Sequence, residues 1–391
     1  MRAVRSAVGV LGCVLLLLAA VALPWRAASQ DAGTTDAGTA DAGSDAGTTD
    51  AGADAGAEDA GHTGPEDAGI DAGARRPRVF ATSRGGPRLV VERRVRTGIQ
   101  PKSVAVSPDG TRVVVCDFGR PDRESVVVFD ALTLERVGVV EFQGNAVESA
   151  FSPDGATLYV SNFRRHVVEV IDFASLTLRA EISVGQHPKF MAVSPDGATL
   201  YVANWGDRSV SVVDTRELRE LRRLPTLRHP RGLVVRPDGT LLAAAFHGDV
   251  IHVFPEGASA ESARWEMCQL PRHLLLSPDG ATAYVTCSMG HIGFYDAASG
   301  RLLGVGSTGR NPRSISITAD GRWIGVANFT SSDVSLIDTV QRTHRTYEIE
   351  GASGVVGLAM HPDGSRVRMY ATSWDTHELI MLSEAPVASA D

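Results

Sequence analysis

Ser152-Pro153-Asp154-Gly155, followed by Ala156-Thr157-Leu158-Tyr159-Val160-Ser161-Asn162, is the stretch on which the reading of this chain turns. Proline presets φ near the start of a turn and glycine accepts positive φ near its end. The tetrapeptide is therefore hairpin punctuation ahead of a strand rich in β-formers. It recurs as Ser107-Pro108-Asp109-Gly110, Ser194-Pro195-Asp196-Gly197, Arg236-Pro237-Asp238-Gly239, Ser277-Pro278-Asp279-Gly280, Thr318-Ala319-Asp320-Gly321 and His361-Pro362-Asp363-Gly364. The turn aspartates stand 45, 42, 42, 41, 41 and 43 residues apart, a period that belongs to propeller-type repeats. Around the second turn, four short apolar runs predict strands at Val147–Phe151, Thr157–Ser161, Val167–Ile171 and Thr177–Val184. They are apolar on both faces, as strands covered by a neighbour on each side should be. No segment keeps a 3.6-residue apolar period over three turns, which excludes a solenoid of helix pairs.

The ends of the repeat array predict a closed ring. Arg88 to Arg96 reads as an outer strand with no blade of its own, and the chain after the seventh turn supplies only three strands, ending near His377 to Leu382. Joining one to three completes blade seven and removes the open seam. The expected fold is all-β: a seven-bladed β-propeller of four-stranded blades over residues 78–391, closed by its N-terminal outer strand.

Tyr201-Val202-Ala203-Asn204 repeats Tyr159-Val160-Ser161-Asn162 at the same offset from its turn, and Gly185-Gln186-His187-Pro188-Lys189 precedes a turn. These residues resemble the YVTN β-propeller repeat family, over roughly residues 88 to 384. Blades four and five depart from the pattern with Ala243-Ala244-Ala245-Phe246 and Tyr284-Val285-Thr286-Cys287, and blade seven with an insertion around Arg366 to Met369. The resemblance implies a fold more than a function, because that family and its relatives include binding proteins, surface proteins, lactone-processing enzymes and haem-bearing enzymes.

Residues 1–29 read as an export signal: Arg2 and Arg5, an apolar run from Ala7 to Leu23, and small residues Ala27-Ala28-Ser29 for cleavage. An uncleaved anchor, or lipidation at Cys13, is the alternative. Residues 30–77 carry nine Asp-Ala-Gly triplets. Such a segment has nothing to bury against its ordering entropy and is expected to be a disordered, self-repelling spacer. Calcium binding is the functional alternative, but no loop there has the glycine and terminal Glu of a tight site. The chain carries a net charge of −8, and the spacer's acids account for it: from Arg75 onward the charges cancel. A neutral propeller has no global drive toward nucleic acid, and membrane contact is expected only through an uncleaved N-terminus. The destination is periplasm, cell surface or medium, and the closed ring is expected to be a monomer.

Specificity must then be local. The residues seven before each turn aspartate ring the mouth of the channel: Lys102, Val147, Lys189, Arg231, Arg272, Arg313 and Val356. Those eight after each turn glycine mark the second-strand exits: Phe118, Phe163, Trp205, His247, Ser288, Phe329 and Thr372, with Trp374 close by. A funnel with Lys102, Lys189, Arg231, Arg272 and Arg313 at its neck and Phe163 and Trp205 beside them fits a small anionic ligand or a protein partner. The alternative is that the cations are structural and the rings packing lids. Asn162, Asn204 and Asn328 read as loop caps.

The lactone-processing relatives are thought to use Arg, Glu and His at this mouth, and Glu148, His187 and His229 stand near the ring. Their repeat offsets differ, so no catalytic residue is assigned. A purely structural display protein is a third reading. No cofactor is expected: a Cys-x-x-Cys-His haem attachment sequence, a phosphate loop and a metal-ligand motif are all missing from the sequence. Of the three cysteines after the signal, Cys116 is expected to be a buried thiol. Cys268 and Cys287 should share the mouth face, where they would pair or stay free.

Overall fold

The computed structural model describes residues 78–82, 86–119, 125–363 and 366–386. Residues 1–77, read above as an export signal and a spacer, and Gly364 of the seventh turn lie outside the described residues. Among the described residues every regular element is a strand, arranged in seven sheets. Blades one to six run Pro101–Val140, Ala146–Ser183, Pro188–Pro225, Pro230–Glu266, Pro271–Ser307 and Pro312–Glu348. Blade seven is Val355–Met360, Arg368–Ser373 and Glu378–Glu384, completed by β3 (Leu89–Arg96). β3 runs antiparallel to Glu378–Glu384, with Leu89 opposite Glu384 and Arg96 opposite Glu378. β3 and the last strand thus close the ring.

There is no single core. Each apolar cluster is shared by two adjacent blades. Val104, Val113, Val115 and Phe129 of blade one pack with Tyr370, Leu379 and Met381 of blade seven. Tyr159, Val168 and Val170 of blade two pack with Met191, Leu200 and Val202 of blade three. At about 25 cal/mol per Å² of apolar surface, burial on both faces of every sheet is the main stabilising term. It is available only to a blade with two neighbours.

The recurrent turn serves this stacking. In the first, Ser107 Oγ donates to Asp109 Oδ1 at 2.5 Å, and the Gly110 amide donates to the Ser107 carbonyl at 2.8 Å. The Ser107 hydroxyl, more than any other partner, holds the Asp109 carboxyl below its usual range. Gly280 sits at φ 71° with Pro237 of the preceding blade 2.8 Å from where a Cβ would stand. Glycine is needed there both for its left-handed φ and for the close approach of the neighbouring proline. The same contact joins Pro362 to Gly110 across the closure, where His361 Nε2 also lies 3.0 Å from the Gly110 carbonyl oxygen.

The sequence reading of four strands per blade is incomplete at two places. β1 (Arg78–Val79) lies parallel to Leu302–Ser307 of blade five, and β2 (Ala81–Thr82) parallel to Thr343–Glu348 of blade six. Between them Phe80 is buried, 5% exposed, with its ring 4.3 Å from that of Phe294. It joins the apolar cluster between blades five and six, and its amide donates to the Val305 carbonyl at 2.9 Å. The segment ahead of β3 is thus a strap across two outer edges. Phe80→Ala should cost about 3 kcal/mol of unfolding free energy, as for a buried Phe elsewhere. Val340→Ala, at a side chain 75% exposed, should leave it unchanged; denaturant titration of both variants checks the pair.

Candidate functional site

Each inner strand begins at one end of the ring and loses register just past its first residue. The shifts fall between Pro101 and Ser103, Ala146 and Ser149, Pro188 and Met191, Pro230 and Leu233, Pro271 and Leu274, Pro312 and Ser314, and Val355 and Gly357. A bulge re-aims the side chains it carries, and here it recurs in all seven blades at the mouth. Lys102, Glu148, Arg231, Arg272, His273 and Arg313, all within the bulges, line one cavity of about 40 Å³. At roughly 10–15 Å³ per water centre, it admits about three waters or the head of one small oxyanion.

The backbone ahead of the bulges is strained. Gln100, His187, His229, Leu270 and Asn311 have φ between 53° and 59°, although each precedes a proline, which favours extended backbone. A hydrogen bond from the second-strand exit holds each one: Phe118 N to Gln100 O at 3.0 Å, Trp205 N to His187 O at 3.1 Å and Phe246 N to His229 O at 3.0 Å. The same bond runs from Phe163, Ser288, Phe329 and Trp374. It therefore defines the equivalent exit residues, six of them aromatic.

Two positions expected from counting are corrected by this bond. Blade four has Phe246 at its exit instead of His247, because its second strand is one residue shorter, Leu241–Ala245. Blade seven has Trp374 instead of Thr372, whose Oγ1 accepts from the Gly357 amide at 2.9 Å within the sheet.

The cations lie against this aromatic collar. The Lys189 ammonium is 3.7 Å from the Trp205 ring centroid and 5.4 Å from that of Phe163. Lys102 lies 5.2 Å from Trp374, Arg231 5.3 Å from Trp205, Arg272 4.7 Å from Phe246 and Arg313 3.9 Å from Phe329. Cation–π attraction offsets part of the repulsion among five like charges. Phe163 and Trp205 are also stacked on His187 and His229, at 4.4 and 4.2 Å. Their rings are engaged by this chain's own groups. His187 and His229 sit in the turns, and the His229 ring meets that of His247 through their Nδ1 atoms.

Blade five departs from the collar. Ser288 stands where the others have a ring; its Oγ accepts from Arg272 Nε at 2.7 Å and donates to the Leu270 carbonyl at 3.1 Å. Cys287 just before it is joined to Cys268 by a disulfide. The bridge ties together the two segments that flank Arg272. Cys116 is buried and free, and burial pushes its thiol up to about 12.

The electrostatics follow from burial. Desolvation, reinforced by Arg313, Arg231 and Arg272, lowers the Lys102 ammonium well below its usual range, and Lys189 is lowered in the same way. Glu148 is the one carboxylate on the cavity wall among the described residues. Burial pushes it up to about 7 against the downward pull of Lys102. Phe190 and His273 meet edge to face at 4.5 Å. They come from blades three and five; Gly232 of blade four, at the equivalent position between them, has no side chain to stand in the way. His273 Nδ1 accepts from the Ile315 amide at 3.2 Å, and burial lowers the imidazole to about 3, so the ring is neutral.

Of the residues singled out from sequence, Lys102, Arg231, Arg272 and Arg313 share the cavity wall, and Lys189 stands beside it against Trp205. Asn162, Asn204 and Asn328 are fully buried and reach the third strand, as in Asn162 Nδ2 to Glu169 Oε1 at 2.8 Å. Sequence reasoning missed Phe190 and His273. The available signal was adjacency, since Phe190 follows Lys189, and His273 follows Arg272. Replacing Trp205 by Ala should destabilise the fold by about 2 kcal/mol, from lost packing and the lost Lys189 contact. Trp205→Phe should recover more than half of that in a denaturant titration.

The family model described as "Lactonase, 7-bladed beta-propeller" matches residues 91–255, from β3 into the fourth blade. No curated protein matches the chain. Among solved structures, one titled Kuenenia stuttgartiensis hydrazine synthase is similar at TM-score 0.64 and 21% identity, over 74% of this chain and 97% of that one. A chain of a mitotic checkpoint complex is similar at TM-score 0.65 and 16% identity, over 85% of this chain and 100% of that one. At such identities the structural likeness shows the fold alone. The chain carries a seven-bladed β-propeller, of which residues 91–255 are similar to the lactonase propellers.

Proposed function

We propose that this protein is an exported, monomeric binding module of YVTN-type repeats, whose bulged neck captures the anionic head of a small molecule. The observation that carries the reading is the charge on one narrow cavity: Lys102, Arg231, Arg272 and Arg313 face a single carboxylate, Glu148, in about 40 Å³. Excess positive charge confined away from water is costly. An entering carboxylate or phosphate group relieves it with charge-assisted hydrogen bonds. The size of the cavity limits the captured part to one oxyanion, leaving the body of the ligand at the rim. Phe163 and Trp205 serve the neck by holding Lys189 and Arg231. A docked acidic side chain of a protein partner uses the same chemistry.

A second reading is favoured by two observations, the lactonase-family match and the placement of Glu148 beside Lys102. In a lactonase, ionised Glu148 would take the proton from a water attacking the carbonyl carbon. The arginines would stabilise the oxyanion, and the ring oxygen would leave and take up a proton to give a hydroxy acid. The product would be an anion of the kind the neck favours.

The experiment is a thermal-shift and turnover screen of the full chain against sugar acids, phosphate and lactones at low and high salt. A ligand at a hundredfold excess over its Kd adds about 2.7 kcal/mol to native stability. Arg231→Ala should weaken binding at least tenfold, about 1.4 kcal/mol. Binding should also weaken as pH rises through about 7, because Glu148 gains negative charge there. Glu148→Gln should flatten that fall. Acid release from a lactone, lost in Glu148→Gln with binding retained, would select the second reading. No shift with any compound, at either salt, would overturn both.

A further inference from the structure

A second cluster of chemically reactive side chains lies outside the neck, at the mouth end of blade five. Cys268 lies on the path from blade four into the inner strand of blade five, and Cys287 ends the second strand of that blade, with Cα atoms 5.9 Å apart. His291 opens the third strand directly opposite Cys287 in the sheet register. One ligand atom from each of the three residues lies within 4.8 Å of the other two. A cavity of about 330 Å³ is lined by Cys268, His291 and Glu266, whereas Cys287 is fully buried. A cross-link alone needs neither an imidazole within 4.8 Å of both sulfurs nor an opening beside one of its two cysteines.

The geometry points to a thiol-gated site for a borderline-soft divalent cation, Zn²⁺ by its donor set. The site is closed while Cys268 and Cys287 are bridged, and a dithiol reductant opens it with two thiolates and the His291 imidazole as ligands. Zn–S bonds of about 2.3 Å and Zn–N bonds of about 2.0 Å place tetrahedral ligand atoms roughly 3.5–3.8 Å apart. The observed cluster already lies within reach of that arrangement. Two cysteines and one histidine suit zinc, with the fourth position left to water. The cavity supplies the path by which a metal reaches such a site.

The redox step balances with a dithiol as the named co-reactant. One thiolate of the reductant attacks the sulfur of Cys268, which lines the cavity. The Cys268–Cys287 bond breaks, and Cys287 leaves with the electron pair and takes up a proton. The second thiol of the reductant then displaces Cys268 from the mixed disulfide. The reductant departs as its own disulfide, and the protein keeps two thiols. Zn²⁺ displaces both thiol protons on binding. The metal would then tie together the same two segments as the bridge, so Ser288 and Arg272 keep their places in either state. This inference stands independently of the ligand of the neck.

The test titrates Co²⁺, a spectroscopic stand-in for zinc, into the full chain, once oxidised and once reduced with a phosphine that offers no competing thiol. The reduced protein should bind one equivalent and show a thiolate-to-cobalt charge-transfer band with tetrahedral visible bands; the oxidised protein should show neither. Cys287→Ser should abolish the band. Should that variant fail to fold, His291→Ala decides, since it retains the bridge and its oxidised form can be checked against the parent by melting. It should weaken reduced-state binding at least about tenfold by removing one of three ligands. Cys116, buried in blade one, is present in every variant and controls for an unrelated thiol. Absence of a thiolate band on reduction, equal binding by His291→Ala, or the same band in the oxidised protein would each reduce the cluster to a structural cross-link.

Discussion

Every blade of this protein buries its two faces against its neighbours, so the ring has to close. β3 against Glu378–Glu384 performs that closure, and the remaining architecture follows from it. Tyr370 of blade seven reaches the Ala131 carbonyl of blade one at 2.6 Å, and Pro362 meets Gly110. Seven sheets wedged around one axis bring their inner strands together at the mouth. There the strands bulge, and the side chains within the bulges turn toward a common point. The neck is a consequence of closure as much as of the residues placed there.

Crowding then sets the chemistry. Five cations at one end of a narrow channel repel one another, and burial depresses both lysines. The collar of Phe118, Phe163, Trp205, Phe246, Phe329 and Trp374 gives each of the five cations a ring to rest on. Where blade five offers Ser288 in place of a ring, its hydroxyl accepts from Arg272 Nε in addition to the contact of Arg272 with Phe246. The neck therefore has two ways of holding a positive charge in place. Four cations and one carboxylate on the wall of a single narrow cavity are the physical basis for reading the charge as a binding feature, and Glu148, at about 7, as its pH-sensitive partner.

The strap from β1 to β2 shows a different use of the same geometry. The outer edges of blades five and six would otherwise present unpaired backbone groups. Two short parallel pairings and the burial of Phe80 cover part of them. The sequence around Phe80 has no alternation long enough to read as a strand. Its pairing depends on partners more than two hundred residues away.

The seven turns, the four-strand rhythm, the strand that closes blade seven and the five basic residues before the turns were all readable from the chain itself. Each rests on local chemistry: proline and glycine set a turn, β-formers set a strand, and a regular period sets equivalent positions. Equivalence by counting failed where a strand was one residue short, at Phe246, and where residues were inserted, at Trp374. Only the tertiary structure decided that Phe190 and His273 touch across Gly232. It also decided that the rings of Phe163 and Trp205 are engaged by this chain's own lysine and histidines, and that Cys268, Cys287 and His291 cluster. Those facts depend on how blades stack and where strands bulge. Such distances are set by packing between segments tens to hundreds of residues apart, and no local pattern encodes them.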